Sequence, residues 1–212
     1  LATDITTRDY ARAYMKNYPW TWFTWNFICG REGDVLLPEA QQLLFPAELV
    51  KAWQNATIDG NLIISQEPIV LVEGAPQWDD SWFTPMLLAW LILCLSIANF
   101  FWNKPYGDWL MLAQTLVGMV MMYLICFSNL CCTSWNWLLI PFNPLPAIFW
   151  YWRKYWALPY VCVMMGWCLA MAANLLWGHV LVDWSHIMLV IAWMLILLKQ
   201  SPSLYALFTN NK

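Results

Sequence analysis

Between Ser134 and Trp150 the chain runs 17 residues without a charge, yet it carries three prolines, Pro141, Pro144 and Pro146, and two amides, Asn136 and Asn143. By hydropathy the stretch reads as a membrane span. Each proline removes a backbone donor and collides with the preceding turn, so a straight helix is not expected. In hydrocarbon such broken backbone is tolerated only where protein packs against it or where it lines a polar cavity. The stretch is therefore expected inside a bundle, with its amides engaged there.

The rest of the chain supplies that bundle. Only 11% of residues are charged, well under half the roughly 25% of an ordinary globular domain. The charges are also unevenly placed. Residues 1–81 hold eleven acids and five bases, whereas residues 82–212 hold two acids, Asp108 and Asp183, and five bases. Two parts follow, a polar N-terminal region (1–81) and a transmembrane region (82–212). No basic stripe exists, so nucleic acid is not an expected partner.

A spanning helix needs about 20 apolar residues. Five spans are expected, near residues 82–102, 109–127, 134–152, 157–177 and 184–198, the third broken by its prolines. The expected fold class is mostly α: a polytopic membrane helix bundle with a small extracytoplasmic α+β N-terminal region. Tryptophans near the span ends, among them Trp82, Trp102, Trp109, Trp152 and Trp177, suit an aromatic belt. Lys104, Arg153, Lys154, Lys199 and Lys212 all fall on one side of such a bundle, while residues 128–133 and 178–183 contain no Lys or Arg. The positive-inside rule then puts residues 1–81 outside the cytoplasm and the C-terminus inside.

In the polar region, Thr6 to Asp9 reads as the capped start of a helix reaching Lys16, with Pro19 interrupting it. The tryptophan-dense piece Trp20–Cys29 is too short to span. It lies either on the bilayer surface or against an upstream half of the soluble domain. Gly30–Asp34 reads as a polar turn. Pro38 and Pro46 suit the starts of two short helices, Glu39–Phe45 and Ala47–Ala56. Asp59-Gly60 signals a hairpin, followed by strand-prone Leu62–Ser65 and Ile69–Val72. Pro68 breaks that run, so any sheet is small or completed from elsewhere. The chain begins at Leu1 with no signal-peptide pattern, which is expected of a fragment or processed product.

Several polar groups lie in or at the ends of spans: Asn99, Gln114, Thr115, Asn136, Asn143 and Asn174. Amides there bond across helices, on the order of 1 kcal/mol each, and that is the reading for Asn99, Gln114 and Asn174. Asn136 and Asn143 differ, because neighbouring prolines free carbonyls that need partners. They either brace the bundle or line a groove for lipid. His179, Asp183 and His186, spaced i, i+4, i+7, would share a helix face and form a weak metal candidate. Gly178 argues for a loop that scatters them, with Asp183 pairing a histidine or capping the fifth helix. Of seven cysteines, only Cys29 lies in the polar region. No framework of spaced pairs supports a disulfide scaffold or zinc ribbon, and no cofactor is expected. The adjacent Cys131 and Cys132 read as interfacial thiols rather than a strained disulfide.

Two sets of short motifs occur in order. Thr7-Arg-Asp-Tyr10, Tyr18-Pro-Trp20, Gly30-Arg-Glu-Gly-Asp34 and Leu44-Phe-Pro-Ala-Glu-Leu49 lie in the polar region, and Asn136-Trp-Leu-Leu139 then Asn143-Pro-Leu145 in the membrane region. The chain resembles the Lnb-type lipoprotein N-acyltransferase family of bacterial envelope proteins, over most of residues 6–150. It is similar to the C-terminal part of the periplasmic domain followed by the Lnb-like transmembrane domain. The resemblance implies transfer of an acyl chain from a lipoprotein's glyceride to its N-terminal amine, at the inner (cytoplasmic) membrane. Membrane lipids and lipoproteins or other envelope proteins would be the partners. It also implies a cysteine nucleophile with a histidine base, the acyl-thioester splitting one hard step into two. In the family these lie upstream of the segment represented here. No position of this chain matches either motif, Cys29 included, so no catalytic residue is assigned. The alternative is a non-catalytic membrane scaffold or subunit of an envelope complex. An ion or proton pathway is weaker still, because no acid or base lies inside a span.

Overall fold

The computed structural model describes residues 5–64, 69, 82–102, 106–128, 133, 135–148, 152–176 and 182–200, with side chains omitted at 147, 148, 153, 154 and 200. The N-terminal region opens with α1 (Thr7–Met15) and α2 (Pro19–Ile28). Thr6 caps α1: its hydroxyl accepts from Asp9 N, and the Asp9 carboxylate accepts from Thr6 N at 3.0 Å. This capping box is the start that the threonine and aspartate spacing predicts. A 3-10 turn at Arg31–Asp34 follows, then α3 (Glu39–Gln42) and α4 (Pro46–Asn55). The strands β1 (Thr57–Ile58) and β2 (Asn61–Leu62) pair antiparallel around Asp59 and Gly60, whose φ angles are 52° and 79°. Two positive φ values in a two-residue loop make the type I′ hairpin expected of Asp-Gly. Of the remaining strand-prone residues, Ile63 and Ile64 fall outside β2, while 65–68 and 70–72 lie outside the described residues.

Buried Arg8 ties this region together. Its Nε donates to Asp34 Oδ1 at 2.6 Å, its Nη2 to the carbonyls of Cys29 and Gly30, both at 3.2 Å, and its Nη1 to Asn26. A buried guanidinium is tolerated only when its charge and donors are matched in this way. Arg8 thereby clamps α1, the end of α2 and the Arg31–Asp34 turn into one unit. Beside it, Cys29 is buried so close to Gly33 that a side chain at Gly33 would overlap its Sγ.

The second part is a helix bundle: α5 (Pro85–Trp102), α6 (Tyr106–Phe127), the single turn α7 (Leu145–Ile148), α8 (Arg153–Leu176) and α9 (Trp184–Gln200). α5 begins at Pro85 because Thr84 caps it, accepting from Leu87 N at 3.3 Å. α8 begins earlier than the sequence suggests and carries Pro159 inside it. Three of these helices, α5, α6 and α8 from Tyr155, are long and apolar enough to cross a membrane, and α9 is a shorter apolar helix. In the most apolar 18-residue window of each long helix, only 22%, 28% and 33% is buried by protein. Trp90, Leu91 and Leu95 on α5, Leu116, Val120 and Tyr123 on α6, and Val163 and Leu169 on α8 face outward. A helix apolar all round but not buried by protein requires an apolar solvent, which is what a membrane supplies.

The third expected span is not a helix. Residues 135–148 form a turn at Trp135 (φ 51°), a 3-10 turn at Trp137–Leu139 and then α7. The prolines account for this, since Pro141, Pro144 and Pro146 each deny the helix a donor. The stretch nevertheless enters the bundle along α8. Trp137 O meets α8 at Trp167, and Ile140 O meets it seven residues lower at Tyr160, about 10 Å of helix. It thus descends antiparallel to α8. α5 and α9 run parallel, both starting against α2 and both ending where Lys199 Nζ reaches Asn99 O. The core between them holds Phe142, Leu138, Met164, Trp167, Val190 and Ile196.

Candidate functional site: the broken segment and its docked end

The prolines deny the carbonyls of Trp137, Ile140 and Phe142 the donors a helix would give them, while Leu138 O still accepts from Phe142 N at 3.0 Å. Each unpaired carbonyl in an apolar interior costs about 1–3 kcal/mol. Side chains from neighbouring helices take up that role. Trp167 Nε1 donates to Trp137 O at 2.9 Å, and Gln114 Nε2 to Pro141 O at 2.8 Å. Tyr160 Oη donates to Ile140 O at 3.0 Å, with Pro141 O at 3.3 Å alongside. α6 approaches so closely that a Cβ at Gly118 would lie 2.8 Å from the Asn143 carbonyl carbon and 2.9 Å from Phe142 O.

Asn136 and Asn143 share one local design. Asn136 Oδ1 accepts from Leu138 N at 2.9 Å, and Asn143 Oδ1 from Leu145 N at 3.0 Å. Each thereby caps the short helical turn that follows, as asparagine does in an Asx-turn. The Asn136 amide then donates to Phe27 O at 2.8 Å and Ile28 O at 3.0 Å, at the end of α2. The Asn143 amide donates to Ile140 O and to Tyr160 Oη, both at 2.7 Å. Both side chains use their donors and acceptor within the protein. Of the two roles left open by sequence, bracing is the one the hydrogen bonds describe.

A groove nonetheless lies beside them. Met122 and Ile125 of α6 face Trp135, Trp137, Leu139 and Ile140 across an open space of about 660 Å³, with Asn136 and Asn143 in its wall. A second, about 320 Å³, lies between Leu145, Pro146 and α8 residues Trp156, Pro159, Tyr160 and Val163. The walls of both are almost wholly apolar, and in the first the asparagine dipoles are turned onto the backbone. The first is within the roughly 300–1,000 Å³ of small-molecule sites.

Asp183 and His186 sit at the same end of the bundle. His179 is outside the described residues, and among the described residues no group of three or more His, Cys, Asp or Glu is placed to hold a metal. The two that are described do other work. Asp183 caps α9 through its carbonyl, which accepts from His186 N at 3.0 Å, and His186 Nδ1 accepts from Asp183 N at 3.3 Å. The buried His186 ring stacks on Phe23 with centroids 4.4 Å apart. The Asp183 carboxylate accepts from Trp22 Nε1 at 3.2 Å. Burial raises its pKa, and the Trp22 and Asn26 side chains and the Arg12 and Arg8 charges oppose that rise. Asp183 thus caps the helix, as anticipated, while its carboxylate turns to α2.

Trp20–Cys29 lies in α2 up to the capping Cys29, and α2 docks on the end of the bundle, a contact that neither sequence reading named. Trp20 Nε1 donates to Phe83 O at 2.7 Å, Trp22 meets Asp183, Phe23 meets His186, and Phe27 packs edge-on to Phe142 at 5.0 Å. Among the other amides, Gln114 bonds across to the broken segment. Asn174 instead donates to Ala170 O in its own helix at 2.8 Å, and Asn99 packs its side chain against Gly107. Tyr160, Trp167 and Trp22 escaped sequence reading, although an aromatic with a polar tip in an apolar helix is a signal for such a contact. The adjacent Cys131 and Cys132 lie outside the described residues. No family model, curated protein or solved structure matches the chain.

Proposed function

We propose that this chain is the membrane part of an envelope acyltransferase resembling the lipoprotein N-acyltransferases, moving an acyl chain from a lipoprotein glyceride to its N-terminal amine. The observation that carries the reading is an apolar groove of about 660 Å³ that descends beside the broken segment from the end where the polar N-terminal region docks. An enzyme that acts on a lipid anchored in its own membrane needs such a layout: a polar domain at the surface over a hydrocarbon-compatible cleft. The distribution of bases supports an inner-membrane orientation with residues 1–81 in the periplasm and the C-terminus in the cytoplasm. A cysteine nucleophile and a histidine base, on this reading, come from outside the residues represented here. The test is mass spectrometry of lipoprotein N-terminal peptides from cells with and without the gene. Loss of the N-acyl form with accumulation of the diacyl form supports the reading, and an unchanged lipid pattern refutes it.

A second reading, a non-catalytic scaffold in an envelope complex, is favoured by one observation: the Asn136 and Asn143 amides are both fully engaged inside the protein. It predicts a stoichiometric co-purifying partner together with unchanged lipoprotein lipids.

A further inference from the structure

We infer that α2 is a lid on the docked end of the bundle, and that the Trp22–Asp183 hydrogen bond is the catch that holds it shut. One face of α2, spaced i, i+1, i+4 and i+5, carries Trp22, Phe23, Asn26 and Phe27. Trp22 and Phe23 meet the start of α9 at Asp183 and His186. Phe27 crosses to the broken segment at Phe142, and the carbonyls of Phe27 and Ile28 are held by Asn136. α2 therefore bridges the gap between α9 and the broken segment, and one of its anchors, Asn136, also lines the 660 Å³ groove. The lid moves with α1 and the Arg31–Asp34 turn, because Arg8 binds all three together.

The contacts holding this lid differ in kind. Those of Phe23 and Phe27 are ring packing, and those of Trp20 and Asn136 use backbone carbonyls that no substitution removes. The Trp22–Asp183 bond joins two side chains across the interface, with a carboxylate as acceptor, and the Asn26 side chain of α2 acts on the same carboxylate. A hydrogen bond to a charged group outweighs a neutral one, so its loss should shift lid opening most.

Hydrogen exchange of the full chain in lipid nanodiscs tests this, independently of the acyl-transfer reading. In Asp183→Leu, amides of residues 20–28 should exchange roughly tenfold faster or more, with those of α5 and α6 unchanged. Asp183→Asn retains an acceptor for the indole but not its charge, and should exchange faster than the parent and slower than Asp183→Leu. Trp22→Phe, which keeps the ring packing, should reproduce the leucine effect, and the double variant should add nothing further. Unchanged exchange in both Asp183→Leu and Trp22→Phe overturns the catch. So does additivity, or acceleration that spreads equally through the bundle.

Discussion

α5 and the stretch from Trp135 to Ile148 lie in the same bundle and solve the same problem in opposite ways. α5 satisfies its backbone internally, so its side chains are free: Trp90, Leu91 and Leu95 face outward, and Ser96 only bonds back to Ile92 O of its own helix. The broken stretch cannot do this. Its carbonyls are met by Gln114, Tyr160, Trp167 and its own Asn143. In an apolar medium backbone polarity is never left over; when prolines remove the helical ladder, side chains replace it. The polar residues of α6 and α8 are thus best understood as belonging to the segment they serve. What the broken stretch gains is relief from helical shape, and the two grooves beside it follow from that.

The contrast can be broken most severely at Gly118. A leucine there would drive into the backbone at Phe142 and Asn143, and about 3 kcal/mol of stability should be lost, measured as a fall in melting temperature in detergent. Gly166 has open space around its Cβ position, so Gly166→Ala on α8 should be tolerated and serves as the control. Asn143→Leu comes next. It removes the Leu145 cap and two donated bonds, for an expected cost of about 2 kcal/mol. A stable Asn143→Leu protein would show that the segment does not need its own side chains. Tyr160→Phe should cost about 1 kcal/mol, because Ile140 O keeps its bond from Asn143.

A smaller effect is expected from acid. Burial raises the Asp183 carboxyl above its ordinary value, against the Trp22 and Asn26 side chains and the charges of Arg12 and Arg8 from α1, while His186 faces it from α9. The folded chain therefore binds this proton more tightly than the unfolded one. The resulting stability is complete below the ordinary carboxyl value of about 3.9 and is lost as pH rises through the raised one. The melting temperature in detergent should rise on acidification through that window, and Asp183→Asn should abolish the dependence. The smallest change belongs to α6: Leu116→Ala, at an outward-facing position, should leave stability in detergent nearly unchanged. A large loss there would mean that α6 is covered by protein.

The separation between what could be read early and what could not follows the range of the forces. The Thr6–Asp9 capping box, the Asp59-Gly60 hairpin and the helix starts at Pro38 and Pro46 are decided by residues within four positions of each other, so composition and spacing suffice. The break at Pro141, Pro144 and Pro146 and the singling out of Asn136 and Asn143 are legible for the same reason. How the broken backbone is accommodated was not, since that depends on which distant side chains satisfy it. Gln114 lies 27 residues from the carbonyl it serves, Asn136 lies 109 from Phe27, and Trp22 lies 161 from Asp183. No local pattern encodes those pairings. By itself the sequence determined that this chain must have an apolar bundle with one crossing unable to be a helix. Only the tertiary structure decided that α2 closes the end of that bundle and that the two asparagines serve the backbone. Those outcomes depend on which unpaired groups are brought within 3 Å of each other when distant segments pack.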